Sequence, residues 1–204
     1  IEGFNRAMYD VHDGLDTVIL KPVATGYDAV TPDLIQTGVT NFFANISDIM
    51  TAANNLFQGK PKQAVSDLGR VAVNSTIGIL GIFDAASGMG LEKHDEDFGQ
   101  TMGVWGVGEG AYVFLPFLGP RTVRDTAGIY MDIWFDPVNY IEHVPTRNSI
   151  WAVRVVNLRA NLLPADKVIE EAALDKYSYI RDAYLQNRRN LVYDGNPPPR
   201  SLDD

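Results

Sequence analysis

Apolar residues recur at helical spacing along most of the chain. Thr31 offers a capping hydroxyl, Pro32 suits a first helical position, and Asp33 favours the positive end of a helix dipole. Ile35, Val39 and Phe43 follow at i, i+4 and i+8, with Leu34 and Phe42 beside them, and make one apolar stripe. Asn45, Ser47 and Asp48 are expected to interrupt this helix before Ile49, Ala52, Ala53, Leu56 and Phe57 resume it, up to Gly59. Pro61 opens the next helix, with Ala64, Val65, Leu68, Val71 and Ala72 on one face. Over 71–86 apolar residues point to every side, broken only by residues such as Asn74, Ser75, Thr76, Gly78 and Gly81. Such a segment is either buried in protein or facing lipid.

In the last third, Pro145 precedes a helix expected over 146–163, carrying Ile150, Trp151, Val155, Leu158 and Leu162. Pro164 ends it, 165–173 reads as a short helix, and 175–193 as a longer one closed by Gly195. No run alternates at period two and no repeat is evident, so the expected fold class is all-α, one domain over 1–195. The Pro-rich tail, 196–204, has nothing to bury and is expected to be disordered.

The middle breaks the pattern. Gly99, Gly103, Gly106, Gly108, Gly110 and Gly119 place six of the 18 glycines in 21 residues, and residues 98–135 hold eight of the 21 aromatics. Only Glu109 is charged between Gly99 and Pro120. A loop in water is normally polar. A flexible backbone with apolar side chains suggests a segment seated against lipid, a partner or an apolar cavity, or else a buried irregular stretch.

Composition then narrows the class. The 204 residues are 46% apolar and 21% charged, too apolar for disorder. The two longest uncharged runs, 34–47 and 71–83, are 14 and 13 residues, against about 20 for a spanning helix. No cysteine is present, which removes disulfides, thiolate metal sites and cysteine nucleophiles. Seventeen basic against 26 acidic residues leave no footprint for nucleic acid and none for a polybasic membrane patch, so any membrane contact is expected to be apolar.

Catalytic patterns are weak. Gly106, Gly108 and Gly110 lack the spacing of a dinucleotide fingerprint, and no P-loop or nucleophile elbow occurs. The residues five after His12, His94 and His143 are Thr17, Gly99 and Asn148, so no His-x4-Asp acyltransferase pair exists. His12-Asp13 and His94-Asp95 could in principle contribute to a metal-dependent phosphohydrolase, while His94-Asp95-Glu96-Asp97 also reads as a solvated capping turn. A soluble helical binder of an apolar ligand is a further alternative. The expectation is a protein without catalytic residues, metal or cofactor.

Ordered blocks identify the sequence more closely: Ile1-Glu-Gly-Phe-Asn-Arg6, Leu20-Lys-Pro-Val-Ala24, Asn41-Phe-Phe43, Leu56-Phe-Gln-Gly-Lys-Pro61, Asn74-Ser-Thr-Ile-Gly78 and Phe83-Asp84. Lys93-His-Asp-Glu-Asp-Phe-Gly-Gln-Thr101, Gly103-Val-Trp-Gly-Val-Gly108, Leu115-Pro-Phe-Leu-Gly-Pro120, Arg124-Asp125, Arg159-Ala-Asn-Leu-Leu163 and Arg181-Asp-Ala-Tyr184 continue the series to about Gly195. Together they resemble the VacJ/MlaA lipoproteins of Gram-negative bacteria. The resemblance implies a ring-like or disc-like set of short amphipathic helices lying in the inner leaflet of the outer membrane. It implies partnership with a trimeric porin and with the periplasmic lipid carrier of the Mla pathway. It also implies removal of mislocalised phospholipid from the outer leaflet through a polar central channel, which maintains lipid asymmetry. The family's anchoring cysteine is expected before Ile1. Its channel and glycine-hinged hairpin are expected around residues 97–124. Without a nucleotide motif the conduit is expected to be passive.

On that footing Gly103, Gly106, Gly108 and Gly110 are the hinge candidates, and Trp105, Tyr112, Phe114 and Phe117 the apolar contacts of the hairpin. Asn41, Phe42, Phe43, Asn74, Ser75, Thr76, Arg121, Arg124 and Asp125 are the channel or headgroup candidates. Tight turns, core packing, back-bonding to the helix for Asn74, Ser75 and Thr76, and a structural ion pair for the last three are the competing readings.

Overall fold

The computed structural model describes residues 1–199, so 200–204 of the expected tail lie outside the described residues. The chain begins with α1 (Glu2–Leu15), which runs through a π-helical turn (Asp16–Leu20) into α2 (Lys21–Val30). Then come α3 (Asp33–Phe57), α4 (Pro61–Thr76), the single turn α5 (Ala85–Gly88) and α6 (Phe98–Val104). A two-stranded antiparallel ribbon follows, β1 (Tyr112–Leu115) and β2 (Gly119–Thr122), in the register Tyr112↔Thr122 to Leu115↔Gly119. The rest is helical: α7 (Val123–Phe135), a 3-10 turn (Pro137–Tyr140), α8 (Val144–Asn161), α9 (Leu163–Ala172) and α10 (Lys176–Val192). The molecule is all-α but for that ribbon.

The helices face the opposite way from those of a water-soluble bundle. Among the described residues other than glycine, 18 polar or charged and ten apolar residues are buried, and five of those ten are alanines. Large apolar residues instead lie exposed on nearly every helix, Leu34, Ile35, Val65, Leu68, Tyr130 and Trp134 among them. Buried polar groups are the informative class, because each must find a partner to offset its desolvation.

Several expectations change for this reason. Asn45 and Asp48 do not interrupt α3: they lie, with Thr51 and Asn55, on the buried face of one 25-residue helix. On α4 the apolar face is outermost, with Val65 and Leu68 exposed, and the buried positions are Ala64, Asp67, Arg70 and Asn74. The α3–α4 seam is accordingly polar. Asn55 Nδ2 donates to Asp67 at 2.7 Å, Asn45 Nδ2 to Ser75 Oγ at 3.0 Å, and Asp48 accepts from Lys93 at 2.6 Å. Arg70 grips both oxygens of Asp84, at 3.0 and 3.1 Å, and donates to the Leu91 carbonyl at 2.7 Å. Thr31 is displaced as cap by Pro32, whose carbonyl accepts from Ile35 and Gln36. Pro164 does more than end α8, since it sits in the first turn of α9. The 71–86 segment resolves into the end of α4 and a turn whose Ile77, Ile79, Leu80, Ile82 and Phe83 point outward.

Glycines set the tightest crossing. A Cβ on Gly128 of α7 would lie 2.6 Å from the Gly99 nitrogen and 2.9 Å from its Cα. A Cβ on Gly103, one turn along α6, would meet Val192 of α10 at 2.9 Å. The Gly99-x-x-x-Gly103 face thus lets α7 and α10 approach α6 at backbone distance, the small-residue packing that serves where the hydrophobic effect does not draw helices together. Gly128→Ala should cost about 1–3 kcal/mol through overpacking against backbone. Gly14→Ala, which points into open space, should not destabilise; equal melting points for the two variants would contradict this account of the crossing.

Candidate functional site

The ribbon is tied down by one asparagine and one phenylalanine. Asn5 of α1 donates to the Tyr112 carbonyl at 2.9 Å and accepts from the Phe114 N–H at 3.0 Å, as a neighbouring strand would. Phe114 is fully buried, edge-on to Tyr9 and His12, each with ring centres 5.4 Å away. The turn between the strands carries Phe117 in the left-handed region at φ 67°, outward-facing, with its N–H donating to His12 Nδ1 at 3.2 Å. The hairpin is therefore fixed to α1 at its base and, through the Phe117 N–H, at its turn, while the Phe117 ring stays exposed.

Beside the base of the ribbon lies a polar cavity of about 280 Å³, enclosed by α3, the 95–97 turn, β2, α7 and α8. Five acids, Asp95, Glu96, Asp97, Asp132 and Asp136, and two cations, Arg121 and Arg154, line it. Most are already engaged. Glu96 pairs with Lys60 at 3.1 Å, Asp97 caps α6 and pairs with Arg188, and Asp136 pairs with Arg154. Arg121, Asp95 and Asp132 have no ion-pair partner within 4 Å among the described residues, and Arg121 Nε is buried with no hydrogen bond. Burial, reinforced by Asp97, pushes the Asp132 carboxyl up to about 6, although it accepts from the Phe98 N–H at 3.1 Å. Asp95 is raised for the same reasons. The cavity thus presents charge of both signs inside an apolar shell.

A family model described as MlaA lipoprotein matches residues 1–191. The chain belongs to the MlaA lipoprotein family. It is 32% identical over 216 residues to the intermembrane phospholipid transport system lipoprotein MlaA of Escherichia coli, covering 100% of this chain and 84% of that protein. The Haemophilus influenzae protein of the same description is 30% identical, covering 96% and 79%, and an uncharacterised Rickettsia bellii protein is 34% identical, covering 99% and 81%. A solved structure reported as the structural basis for maintenance of bacterial outer membrane lipid asymmetry matches with a TM-score of 0.80 at 31% identity, over 94% of this chain and 97% of that one.

In this member of the MlaA family the residues singled out from sequence fall into different places. Arg121 lines the polar cavity. Arg124 lines a separate cavity of about 600 Å³ with Gly103, Gly106 and Gly108, between the approach to the hairpin and α10. Asp125 is buried: desolvation opposes its ionisation, but Arg188 at 3.0 Å and the Tyr184 hydroxyl at 2.6 Å outweigh it and keep it below the usual carboxylate range. Gly106 and Gly110 hold left-handed backbone, whereas Gly103 is required by packing and Gly108 faces open space. Trp105 and Phe117 are exposed; Tyr112 and Phe114 turn inward. Asn41 donates to the Ile82 carbonyl at 3.1 Å, and Phe42 and Phe43 line an apolar groove on the flank.

Asn74, Ser75 and Thr76 are not among the residues lining the polar cavity. Asn74 is spent on Asp84 and the Ala86 N–H, Ser75 accepts from Asn45, and Thr76 bonds back to the Ala72 carbonyl at 2.7 Å. His12 and His94 serve the hairpin turn and Asp67 separately, and no group of three or more acidic or histidine side chains able to hold a metal ion occurs among the described residues. The apolar groove is open-lipped, with Leu34, Ile35 and Phe83 exposed, unlike the closed pocket of a soluble carrier. Sequence reasoning passed over Asp132, the one charged residue between Asp125 and Asp136, and Arg154 on α8.

Asp132 gives a signed pH dependence. Its folded pKa lies above the ordinary value, so the folded state holds the proton more tightly than the unfolded chain. Its contribution is most favourable below about pH 4 and is lost as pH rises through about 6. Asp132→Asn, which keeps an acceptor for Phe98, should flatten the melting temperature across that window and raise it at neutral pH. An unchanged pH profile would contradict this.

Proposed function

We propose that this protein is an outer-membrane lipoprotein of phospholipid transport. In this reading it withdraws phospholipid misplaced in the outer leaflet and passes it to the periplasmic carrier of the Mla pathway, preserving lipid asymmetry. The observation that carries it is the inverted distribution of side chains, with apolar residues outside, polar residues inside, and a two-signed polar cavity among them. A charged group at the centre of a bilayer costs about 2.5–3.5 kcal/mol on insertion scales and more in simulations. A cavity with its own charges lets a headgroup cross while its chains remain in fat.

No helix among the described residues is long and apolar enough to cross a membrane. A disc with an apolar rim suits the inner leaflet, where short helices lie in the plane and irregular backbone is tolerated if it lines a wet cavity. The trimeric porin and the carrier enter this reading through the family resemblance alone. The hairpin serves as the movable wall: Gly106 and Gly110 supply the backbone freedom, Phe114 the fixed end, and the exposed Trp105 and Phe117 the contact with lipid. Arg121 meets the lipid phosphate, and nothing in the site requires a nucleotide.

Cells lacking the protein should accumulate surface phospholipid that an added phospholipase can reach, and the wild-type chain should reverse this. Arg121→Glu should slow transport about tenfold to hundredfold, the worth of one charged hydrogen bond of about 1.5–3 kcal/mol, while Arg121→Lys restores part of it. Full activity of Arg121→Glu would refute the assignment.

A further inference from the structure

Two cavities of opposite character share one wall. The apolar groove, about 480 Å³, lies between the first half of α3, the turn after α4, and α8; Leu34, Val39, Phe42, Phe43, Phe83 and Ile150 are among its walls, and Ser149 at its lip is the sole polar side chain. Phe43, one of those walls, is 8% exposed. The Arg154 guanidinium, which lines the polar cavity, lies over the Phe43 ring at 5.7 Å and over Trp151 at 5.0 Å. It is held by Asp136 and by Ser47 Oγ at 3.1 Å, which leaves three of its five N–H donors without a partner among the described residues. A ring that lines the groove and a guanidinium that lines the polar cavity are therefore neighbours. α3 runs past both, with Leu34 to Phe43 on the groove and Ile46 to Thr51 on the polar cavity.

We propose that the groove is a lateral lipid subsite that takes one acyl chain of a phospholipid whose headgroup sits in the polar cavity beyond Phe43 and Arg154. This rests on the transport reading above and adds a side entrance to it. The groove excludes the headgroup, because it offers almost nothing to hydrogen-bond with, and the polar cavity excludes the chain for the converse reason. Only an amphiphile satisfies both at once, and Arg154 stands at their junction with donors free for its phosphate. The groove opens among Leu34, Ile35 and Phe83, on the same exposed apolar surface that the transport reading sets against fat, so a chain enters without crossing water. Its volume falls in the usual range of small-ligand sites.

The test uses the protein in nanodiscs of phosphatidylethanolamine and phosphatidylglycerol doped with two photoactivatable phospholipids, one carrying a diazirine at mid-chain and one on the headgroup. Peptide mapping should find the chain probe on 34–43 and 149–153 about tenfold above its level at the exposed rim residues Tyr130 and Trp134. Val39→Trp should fill the groove and return that labelling to rim level, leaving headgroup labelling of the polar cavity in place. Ser149→Phe narrows the groove from its exposed lip and should act in the same direction if Val39→Trp fails to fold. Chain labelling at rim level in the wild type overturns the inference; persistent headgroup labelling then leaves the transport reading standing, and loss of both labels removes that reading as well.

Discussion

Buried hydrogen bonds between polar helix faces hold this molecule together, taking the place that apolar burial has in a water-soluble bundle. The α3–α4 seam runs through Asn45, Asp48, Asn55, Asp67 and Arg70, and α6, α7 and α10 meet around Asp97, Asp125, Tyr184 and Arg188. Polar groups so deeply buried are costly unless paired, and breaking one partner of a buried ion pair costs about 3–5 kcal/mol. In water the exposed apolar surface would add a further penalty. In lipid it costs nothing, and polar bonds together with close glycine contacts become the main forces between helices. The same constraint explains why so many buried apolar residues are alanines: they admit close approach and leave the seam to the polar pairs.

Function follows from that inversion. Once the polar faces point inward, the place where α3, α7, α8 and β2 fail to close becomes a polar cavity without further design. The ribbon bounds it on one side, fixed to α1 by Asn5, Phe114 and the Phe117 N–H, with the Phe117 ring exposed. The immediate neighbours of Asp132 on α7, Met131 and Ile133, face outward while Asp132 lines the cavity, so a single turn of helix carries both an exposed apolar surface and the polar lining.

Much of the helix pattern was legible in the sequence, because spacing and punctuation do not depend on which side of a helix is buried. Pro61, Gly59, Pro145 and Gly195 mark ends close to the observed ones for that reason. The direction of each face was not legible. Asn45 and Asp48 look like breaks only if apolar residues are assumed to point inward, and Val65 and Leu68 look like core on the same assumption. The ribbon escaped because its strands are four residues each and Gly119-Pro-Arg-Thr122 has no apolar alternation. At the site, Arg121 was visible as a charge beside a glycine-rich apolar stretch. Asp132 and Arg154 reach the cavity only through the crossing of distant helices, and Asn74 is diverted to Asp84 by a turn that spacing does not reveal.

The claim that apolar side chains face fat is tested most directly at Trp134, which is 70% exposed at the end of α7. With Trp105 and Trp151 replaced by phenylalanine, its fluorescence in nanodiscs reports one position. The account predicts strong quenching by phospholipids brominated along their acyl chains and little by aqueous iodide. Quenching by iodide with none from the brominated lipid would contradict it.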